Sequence, residues 1–200
     1  VVDYDRLILA TGSKPFIPPI SGADLTGVIS FRDIYDVNIM LDYCKNKKNA
    51  VVIGAGLLGL EAAYGLKQRG MNVTVLHLMD RIMERQLDSR ASVMLRHSIE
   101  AIGISIITEA NTQELIGQEG HVSQIKLKDG TILDADLVVF AVGIRPNITL
   151  AQSAGLRCNR GVMVNDTMQT FDPSIYAVGE CIEHRNQTFG LVEPLWGQAF

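Results

Sequence analysis

A glycine pattern early in the chain constrains its fold more than any other feature. Gly54, Gly56 and Gly59 have the G-x-G-x-x-G spacing and directly follow an apolar run, residues 50–53, that is typical of a buried strand. Helical and then strand-like apolar spacing follows in residues 57–76. Strand, glycine turn, helix and strand in this order predict a βαβ unit that binds the pyrophosphate of a dinucleotide. The alternative is a tight turn without a ligand.

The three glycines and the two residues after the second of them are the candidate phosphate contacts. Gly54 allows a tight turn, Gly56 lets the backbone approach a pyrophosphate, and Gly59 allows close packing of helix on strand. Leu57 and Leu58 begin the helix, where backbone N–H groups lack partners within the helix and the helix dipole is positive. We therefore expect an anionic group at this helix N-terminus.

The remaining pattern indicates the fold class. Helical spacing is predicted in residues 33–44 and 88–102, and short strands in residues 104–107 and 137–141. Between them, residues 112–133 have the turn signals of a three-stranded antiparallel insert. The chain is thus expected to be an α/β protein containing a Rossmann-like domain of three layers, two sheets and one layer of helices.

An internal repeat predicts that one domain is inserted into another. Residues 5–15, DRLILATGSKP, align without gaps with residues 136–146, DLVVFAVGIRP. Because one copy precedes the βαβ unit and the other follows it, the first copy is expected to belong to a second dinucleotide domain. We predict an inserted domain at 31–146 between segments 1–30 and 147–200, with the chain starting inside the outer domain. The alternative is that any strand entering a Gly-Pro loop looks alike.

Composition limits the partners. The chain has 18 basic and 22 acidic residues and a formal charge of −4, so a nucleic-acid surface is not expected. No apolar run approaches the roughly 20 residues that span a bilayer, so no membrane partner is expected. Three scattered cysteines suit free thiols in a reducing cytoplasm. His97, His121 and His184 lack metal-ligand spacing, and no metal site is predicted.

Two further stretches complete a family pattern. They are HLMDRIMERQLD at residues 77–88 and GECIEHRNQTFGLVEP at residues 179–194. With the glycine turn and the repeat, they resemble the FAD-dependent pyridine-nucleotide oxidoreductases, and within that family the N-terminal reductase portion of the NAD(P)H-dependent nitrite reductase large subunit. The resemblance implies an NAD(P)-binding domain inserted in a partial FAD-binding domain. It also implies hydride transfer from NAD(P)H to FAD, with iron–sulfur and sirohaem groups for assimilatory nitrite reduction downstream in the parent protein.

The resemblance assigns further contacts to the nicotinamide dinucleotide, beyond the five residues of the glycine turn. Glu61 matches a family glutamate close to the nicotinamide, and the alternative is an exposed helix charge. Val142 and Gly143 end the last strand of the inserted domain beside the nucleotide, and the alternative is packing alone.

The resemblance also implies contacts to FAD. Thr11 and Gly12 would contact the flavin nucleotide where the chain crosses between domains, unless they form a simple turn. Gly179 and Glu180 match a family Gly-Asp pair whose acid binds the ribityl or phosphate region, although the glutamate is one methylene longer and a solvated turn acid is the alternative. A helix beginning near Pro194 would direct N–H groups at the flavin, or is an ordinary helix start.

The preference between NADH and NADPH depends on the end of the second strand. An acid there binds the ribose 2′-hydroxyl, whereas an arginine accepts a 2′-phosphate. The residue is His77, whose neutral ring can bind a hydroxyl or simply cap the strand edge. Asp80 and Arg81 follow and act in opposite directions. Similarity to NADH-using relatives and the lack of a basic pair favour NAD(H) over NADPH.

Several functions share these motifs. A rubredoxin or ferredoxin reductase and an NADH oxidase would contain the same residues, so they remain alternatives. A nucleotide-binding module without turnover is a third, because the FAD site is expected to be incomplete and FAD to bind poorly. No catalytic base is predicted, since the two cofactors carry the hydride chemistry. Apolar Leu195, Trp196 and Phe200 predict some self-association.

Overall fold

The computed structural model describes residues 2–199, so Phe200 of the expected apolar surface lies outside the described residues. The chain divides into two compact units. Unit 1 comprises Val1–Lys14 and Gly143–Phe200, and unit 2 comprises Pro15–Val142. Unit 2 is therefore one continuous stretch of sequence, and along the chain it comes between the two segments of unit 1.

The secondary structure alternates between strands and helices through unit 2 and consists mainly of short strands in unit 1. The strands, in chain order, are β1 (Leu7–Leu9), β2 (Ser13–Pro15), β3 (Val28–Ser30), β4 (Asn49–Ile53), β5 (Asn72–Leu76), β6 (Ile104–Ile107), β7 (Thr112–Gln118), β8 (His121–Leu127), β9 (Ile132–Asp134), β10 (Leu137–Phe140), β11 (Ile144–Pro146), β12 (Val162–Val164), β13 (Ile175–Ala177), β14 (Ile182–His184) and β15 (Gln187–Thr188). The helices are α1 (Ile34–Asn46), α2 (Leu57–Gln68), α3 (Ser89–Ala101), α4 (Thr149–Ser153) and α5 (Glu193–Ala199).

Unit 2 is built on a five-stranded sheet in the order β3-β10-β4-β5-β6. All neighbouring strands in it are parallel, with Val52 opposite Val139 on one side and Val75 on the other. Strands β7, β8 and β9 form a separate antiparallel sheet. The edge strand β3, residues 28–30, lies in the stretch that the sequence analysis assigned to the first segment. The sequence did not predict this strand, because three residues are too few to show a period.

The parallel sheet has a different layer on each face. Alternate strand residues such as Val52 and Val75 pack with Met40 of α1 and Leu66 of α2 in one apolar cluster. The intervening residues, such as Val51, pack against the antiparallel sheet in a second cluster. Side chains alternate between faces along a strand, so burial on both faces requires the continuous apolar runs seen in the sequence. The predicted α/β fold with three layers is confirmed.

Local signals set the helix limits. The Asp33 side chain accepts hydrogen bonds from the backbone N–H groups of Tyr35 and Asp36 and, with Asp36, forms a capping box before α1. Asp88 caps α3 by accepting from the N–H of Ala91. Helix α2 instead begins after Gly56, which has no side chain with which to cap. The first N–H groups of α2 thus receive no bond from an N-cap side chain.

Unit 1 contains three small sheets around its own core. Strand β1 pairs in parallel with β13, β14 lies between β12 and β15, and β2 pairs with β11. Leu9, Val162 and Ile182 are buried in one cluster with residues of α4 and the following loop. The apolar runs at residues 6–10 and 175–178 predict β1 and β13, but no pattern in the sequence predicts β12, β14, β15 or α4. Each of those elements has five residues or fewer, too few to show a period.

Candidate functional site

The first and third glycines of the turn are required by the fold itself. A Cβ added to Gly54 would lie 2.3 Å from the carbonyl oxygen of Ala141, and Gly54 also has a φ of +113°. A Cβ on Gly59 would lie 1.9 Å from the carbonyl oxygen of Gly54. Such distances are impossible without moving the backbone. These two glycines therefore allow β4, β10 and α2 to approach one another.

Gly56 differs from its two neighbours because the fold does not require a glycine there. Its φ of −81° is accessible to any residue. Among the described residues beyond its chain neighbours, no heavy atom lies within 4 Å of the position that a Cβ would occupy. Leu57 and Leu58, the first residues of α2, are 53% and 45% exposed. The N-terminus of α2 is thus open to an approaching group.

The strand that ends beside this turn carries two more candidate residues. Gly54 lies close to the end of β10, with the Ala141 N–H donating to the Ile53 carbonyl at 2.8 Å. Val142 follows and is partly buried against the core of unit 2. Gly143, the first residue of the returning unit 1 segment, has a φ of +105°. Its backbone conformation alone explains that glycine.

His77, directly after β5, is buried and uses both ring nitrogens within the protein. Its Nδ1 accepts from the Ala55 N–H at 3.1 Å, and its Nε2 lies 3.0 Å from Oε2 of Glu84. Because Nδ1 accepts a hydrogen bond, the proton of the neutral ring is on Nε2 and points to the carboxylate. His77 therefore links the glycine turn to Glu84.

A backbone contact also holds the loop between β5 and α3, residues 77–88, against the glycine turn. The N–H of Met83 donates to the carbonyl oxygen of Ala55 at 3.0 Å, and Ile82 next to it is buried. Burial raises the pKa of Glu84, but hydrogen bonds from its own backbone and from His77, together with the charge of Arg85, lower it below the ordinary value. The loop thus presents an ionised carboxylate beside the end of β5.

Glu61 lies on α2, two residues after the last glycine of the turn. Its side chain is exposed and lines a cavity of about 250 Å³ between α1 and α2, together with Phe31 and Arg69. The wall of that cavity is largely apolar, and Met40 and Leu66 contribute to it. Glu61 is therefore accessible rather than engaged in the core.

In unit 1, the candidates Thr11 and Gly12 form a small hydrogen-bonded cluster with a residue that the sequence did not indicate. The Thr11 hydroxyl donates to the carbonyl oxygen of Asn147 at 2.6 Å, and the Asn147 N–H donates to the Gly12 carbonyl at 2.8 Å. Asn147 also donates through its side-chain amide to the Thr11 carbonyl at 3.3 Å. The two copies of the repeat are thus joined where each one ends.

The other unit 1 pair, Gly179 and Glu180, lies close to this cluster. The hydroxyl of Ser13 donates to Oε2 of Glu180 at 2.8 Å, a contact between residues 167 positions apart. The Gly179 N–H donates to the side-chain oxygen of Gln198 at 2.7 Å. Ser13 and Gln198 were missed because no motif marks them. The fold therefore brings Thr11, Gly12, Gly179 and Glu180 into one region of unit 1.

Three further expectations bear on the site. Helix α5 begins at Glu193 with Pro194 in its first turn, as predicted. Residues 2–199 contain no group of three or more His, Cys, Asp or Glu side chains suited to hold a metal ion. Within the same range, every helix is too short or too polar to cross a membrane.

Comparison with known proteins identifies close relatives. The sequence profile of the pyridine nucleotide-disulphide oxidoreductase family matches residues 1–195. Nitrite reductase [NAD(P)H] of Bacillus subtilis (strain 168) is 56% identical over 196 residues, which cover 98% of this chain and 24% of that protein. The assimilatory nitrate reductase electron transfer subunit of the same strain is 49% identical over 197 residues, which cover 98% and 25%.

A solved structure with the same fold extends this comparison. The crystal structure of a ferredoxin reductase from Rhodopseudomonas palustris matches with a TM-score of 0.88 and 31% identity, covering 95% of this chain and 48% of that one. The chain spans about a quarter of the length of the Bacillus subtilis nitrite reductase and of the nitrate reductase electron transfer subunit. It spans about half of the ferredoxin reductase.

Proposed function

The chain belongs to the pyridine nucleotide-disulphide oxidoreductase family, and we propose that it passes hydride from NAD(P)H to FAD as the electron-input part of an assimilatory nitrite reductase. In this proposal unit 2 is the NAD(P)-binding domain. Unit 1 supplies part of the FAD-binding domain. Iron–sulfur and sirohaem groups farther along the parent protein would receive the electrons.

The observation that carries the proposal is the open position at Gly56. Gly54 and Gly59 are explained by internal packing, but no close contact within the described fold requires a glycine at 56. A bound pyrophosphate does account for it, because the backbone must approach the phosphate oxygens closely. The exposed first turn of α2 supplies N–H donors and the positive end of a helix dipole at the same point. These residues fit a dinucleotide.

The neighbouring residues would hold the rest of the nicotinamide dinucleotide. Gly54, Leu57, Leu58 and Gly59 would line the pyrophosphate, with Val142 and Gly143 beside the nucleotide. Glu61 is accessible on α2, as a residue near the nicotinamide must be. When bound, the nicotinamide would donate a hydride and the flavin would accept it, so the protein need only bind, orient and exclude water.

Part of the FAD site would lie in unit 1. Thr11, Gly12, Gly179 and Glu180 are far apart in sequence but are linked through Ser13 and Asn147. A glutamate in this position can reach a ribityl or phosphate group, and the Ser13 hydroxyl would orient its carboxylate.

The identity of the parent protein is proposed from its relatives. Nitrite reductase [NAD(P)H] of Bacillus subtilis shares 56% of residues across nearly the whole chain. The ferredoxin reductase structure shares 31%. This difference favours nitrite over a ferredoxin or rubredoxin partner. Three free cysteines are compatible with a reducing compartment, and we place the parent protein in the cytoplasm.

Calorimetric titration of the 200-residue chain tests nucleotide binding. We expect NADH and ADP-ribose, which share the pyrophosphate, each to bind at one site, with a dissociation constant between about 1 μM and about 1 mM. Nicotinamide mononucleotide is the control because it lacks the pyrophosphate, and it should bind more weakly. Failure of both NADH and ADP-ribose to bind would contradict the proposed function.

A further inference from the structure

The residue that follows β5 bears on which of the two dinucleotides, NADH or NADPH, the site prefers. In a dinucleotide-binding βαβ unit, the residue ending the second strand faces the adenosine ribose, and an acid there distinguishes a 2′-hydroxyl from a 2′-phosphate. Here β5 ends at Leu76, and the residue that follows it is His77. Its two ring nitrogens are occupied by the Ala55 N–H and the Glu84 carboxylate. His77 therefore has no ring nitrogen free to form a hydrogen bond with the ribose.

The contact with Glu84 brings a negative charge to the same place. The Glu84 carboxylate lies 3.0 Å from the His77 ring, and 25% of its side chain remains exposed. The Met83 N–H bond to Ala55 fixes the loop, so Glu84 is held at the turn by two independent contacts. A carboxylate that is both fixed and partly exposed can interact with a ligand as well as with His77.

From this arrangement we infer that Glu84, positioned by His77, replaces the usual acid at the strand end and selects NADH against NADPH. The inference rests on the proposed function, since it concerns the ribose end of the same site. A 2′-phosphate carries two negative charges near neutral pH, and placing it beside a fixed carboxylate is unfavourable. A 2′-hydroxyl can instead donate a hydrogen bond to that carboxylate.

Three other charged residues lie in positions 80–85 of the same loop. Arg85 lies beside Glu84, with Nε 4.0 Å from Oε1, but its side chain is 87% exposed and its charge is screened by solvent and salt. The Arg81 side chain is partly buried, and its Nε has no hydrogen-bond partner in residues 2–199. Asp80 is exposed, and its charge, like that of Arg85, is screened by solvent and salt.

The test compares NADH and NADPH binding by the whole chain and by two variants. Glu84→Gln removes the charge and keeps an oxygen that can accept the bond from His77. We expect it to tighten NADPH binding about tenfold and to change NADH binding less than about threefold. Asp80→Asn is the matched control, with the same change of charge on an exposed residue of this loop. It should change the ratio of the two affinities less than about twofold.

The outcomes separate this inference from the proposed function. The role of Glu84 would be overturned if Glu84→Gln left the ratio of NADH to NADPH affinity unchanged, or if Asp80→Asn changed that ratio more than Glu84→Gln does. In either case, NADH binding by the wild type would still support a nucleotide site. Wild-type protein that binds neither nucleotide would overturn both. Circular dichroism and thermal unfolding of each variant show whether the fold is kept, and Glu84→Asp, which keeps the charge, should retain the preference for NADH.

Discussion

Glu183 shows how a single residue organises unit 1 without taking part in the proposed chemistry. It is 4% exposed, and its carboxylate accepts hydrogen bonds from the Asn159 side chain and from the N–H groups of Arg160 and Gly161, at 2.8 to 3.1 Å. Burial raises its pKa, but these three hydrogen bonds and the charge of Arg160 outweigh burial and lower it. The buried acid thus ties the loop before β12 to β14 and acts as a structural group.

Replacement of Glu183 should make the stability of the chain less dependent on pH. Because the pKa is lowered on folding, the ionised group contributes stability above its ordinary pKa of 4.5, and this contribution is lost as the pH falls through the folded value. We expect Glu183→Gln to lower the free energy of unfolding by about 1–3 kcal/mol at neutral pH. Urea unfolding at several pH values should show the gap closing in acid. A gap that stays constant would contradict this account.

At the scale of elements, the contact of α2 with β4 controls the shape of the turn. Gly59 lies where any side chain would meet the Gly54 carbonyl oxygen. Gly65, two turns farther along the same helix, has no described heavy atom within 4 Å of its Cβ position beyond its neighbours in the helix. The two glycines share one helix and differ only in what surrounds them. They therefore allow the packing requirement to be separated from helix propensity.

Substitution of these glycines by alanine should have opposite effects. Gly59→Ala forces α2 away from β4, and we expect it to lower the free energy of unfolding by about 2–4 kcal/mol or to prevent folding. Gly65→Ala should raise it by about 0.5–1 kcal/mol, because alanine favours the helix and the site is open. Thermal or urea unfolding measures both. Equal stability of the two variants would show that close approach at Gly59 is unimportant.

The longer elements of unit 2 could be predicted because burial on both faces marks them in the sequence. The predicted strand at 104–107 has the observed bounds of β6, and the strand-like spacing that ends at residue 76 corresponds to β5. Helix α1 also begins after Asp33, as its spacing indicated. Other short strands of unit 1, such as β12 and β15, could not be predicted, since two or three residues show no period.

At the scale of the whole molecule, the sequence predicted the glycine turn and the strands around it but not the side-chain contacts that join distant segments. The glycine spacing predicted the turn, and the family resemblance implied roles for Thr11 and Gly12 that stay predictions. The engagement of His77 with Ala55 and Glu84, by contrast, depends on a loop folding back over the turn. The Ser13 contact with Glu180 joins residues 167 positions apart. Neither contact leaves a local signal, because only tertiary folding creates it.

The central claim is that the open Gly56 position receives the pyrophosphate of NADH, and Gly56→Ala tests it most directly. Alanine is compatible with the φ of −81° and meets open space, so the free energy of unfolding should change by less than about 1 kcal/mol. The added methyl group would occupy the space of the phosphate and should weaken NADH binding about tenfold or more in a calorimetric titration. A folded Gly56→Ala variant that binds NADH as tightly as the wild type would contradict the account.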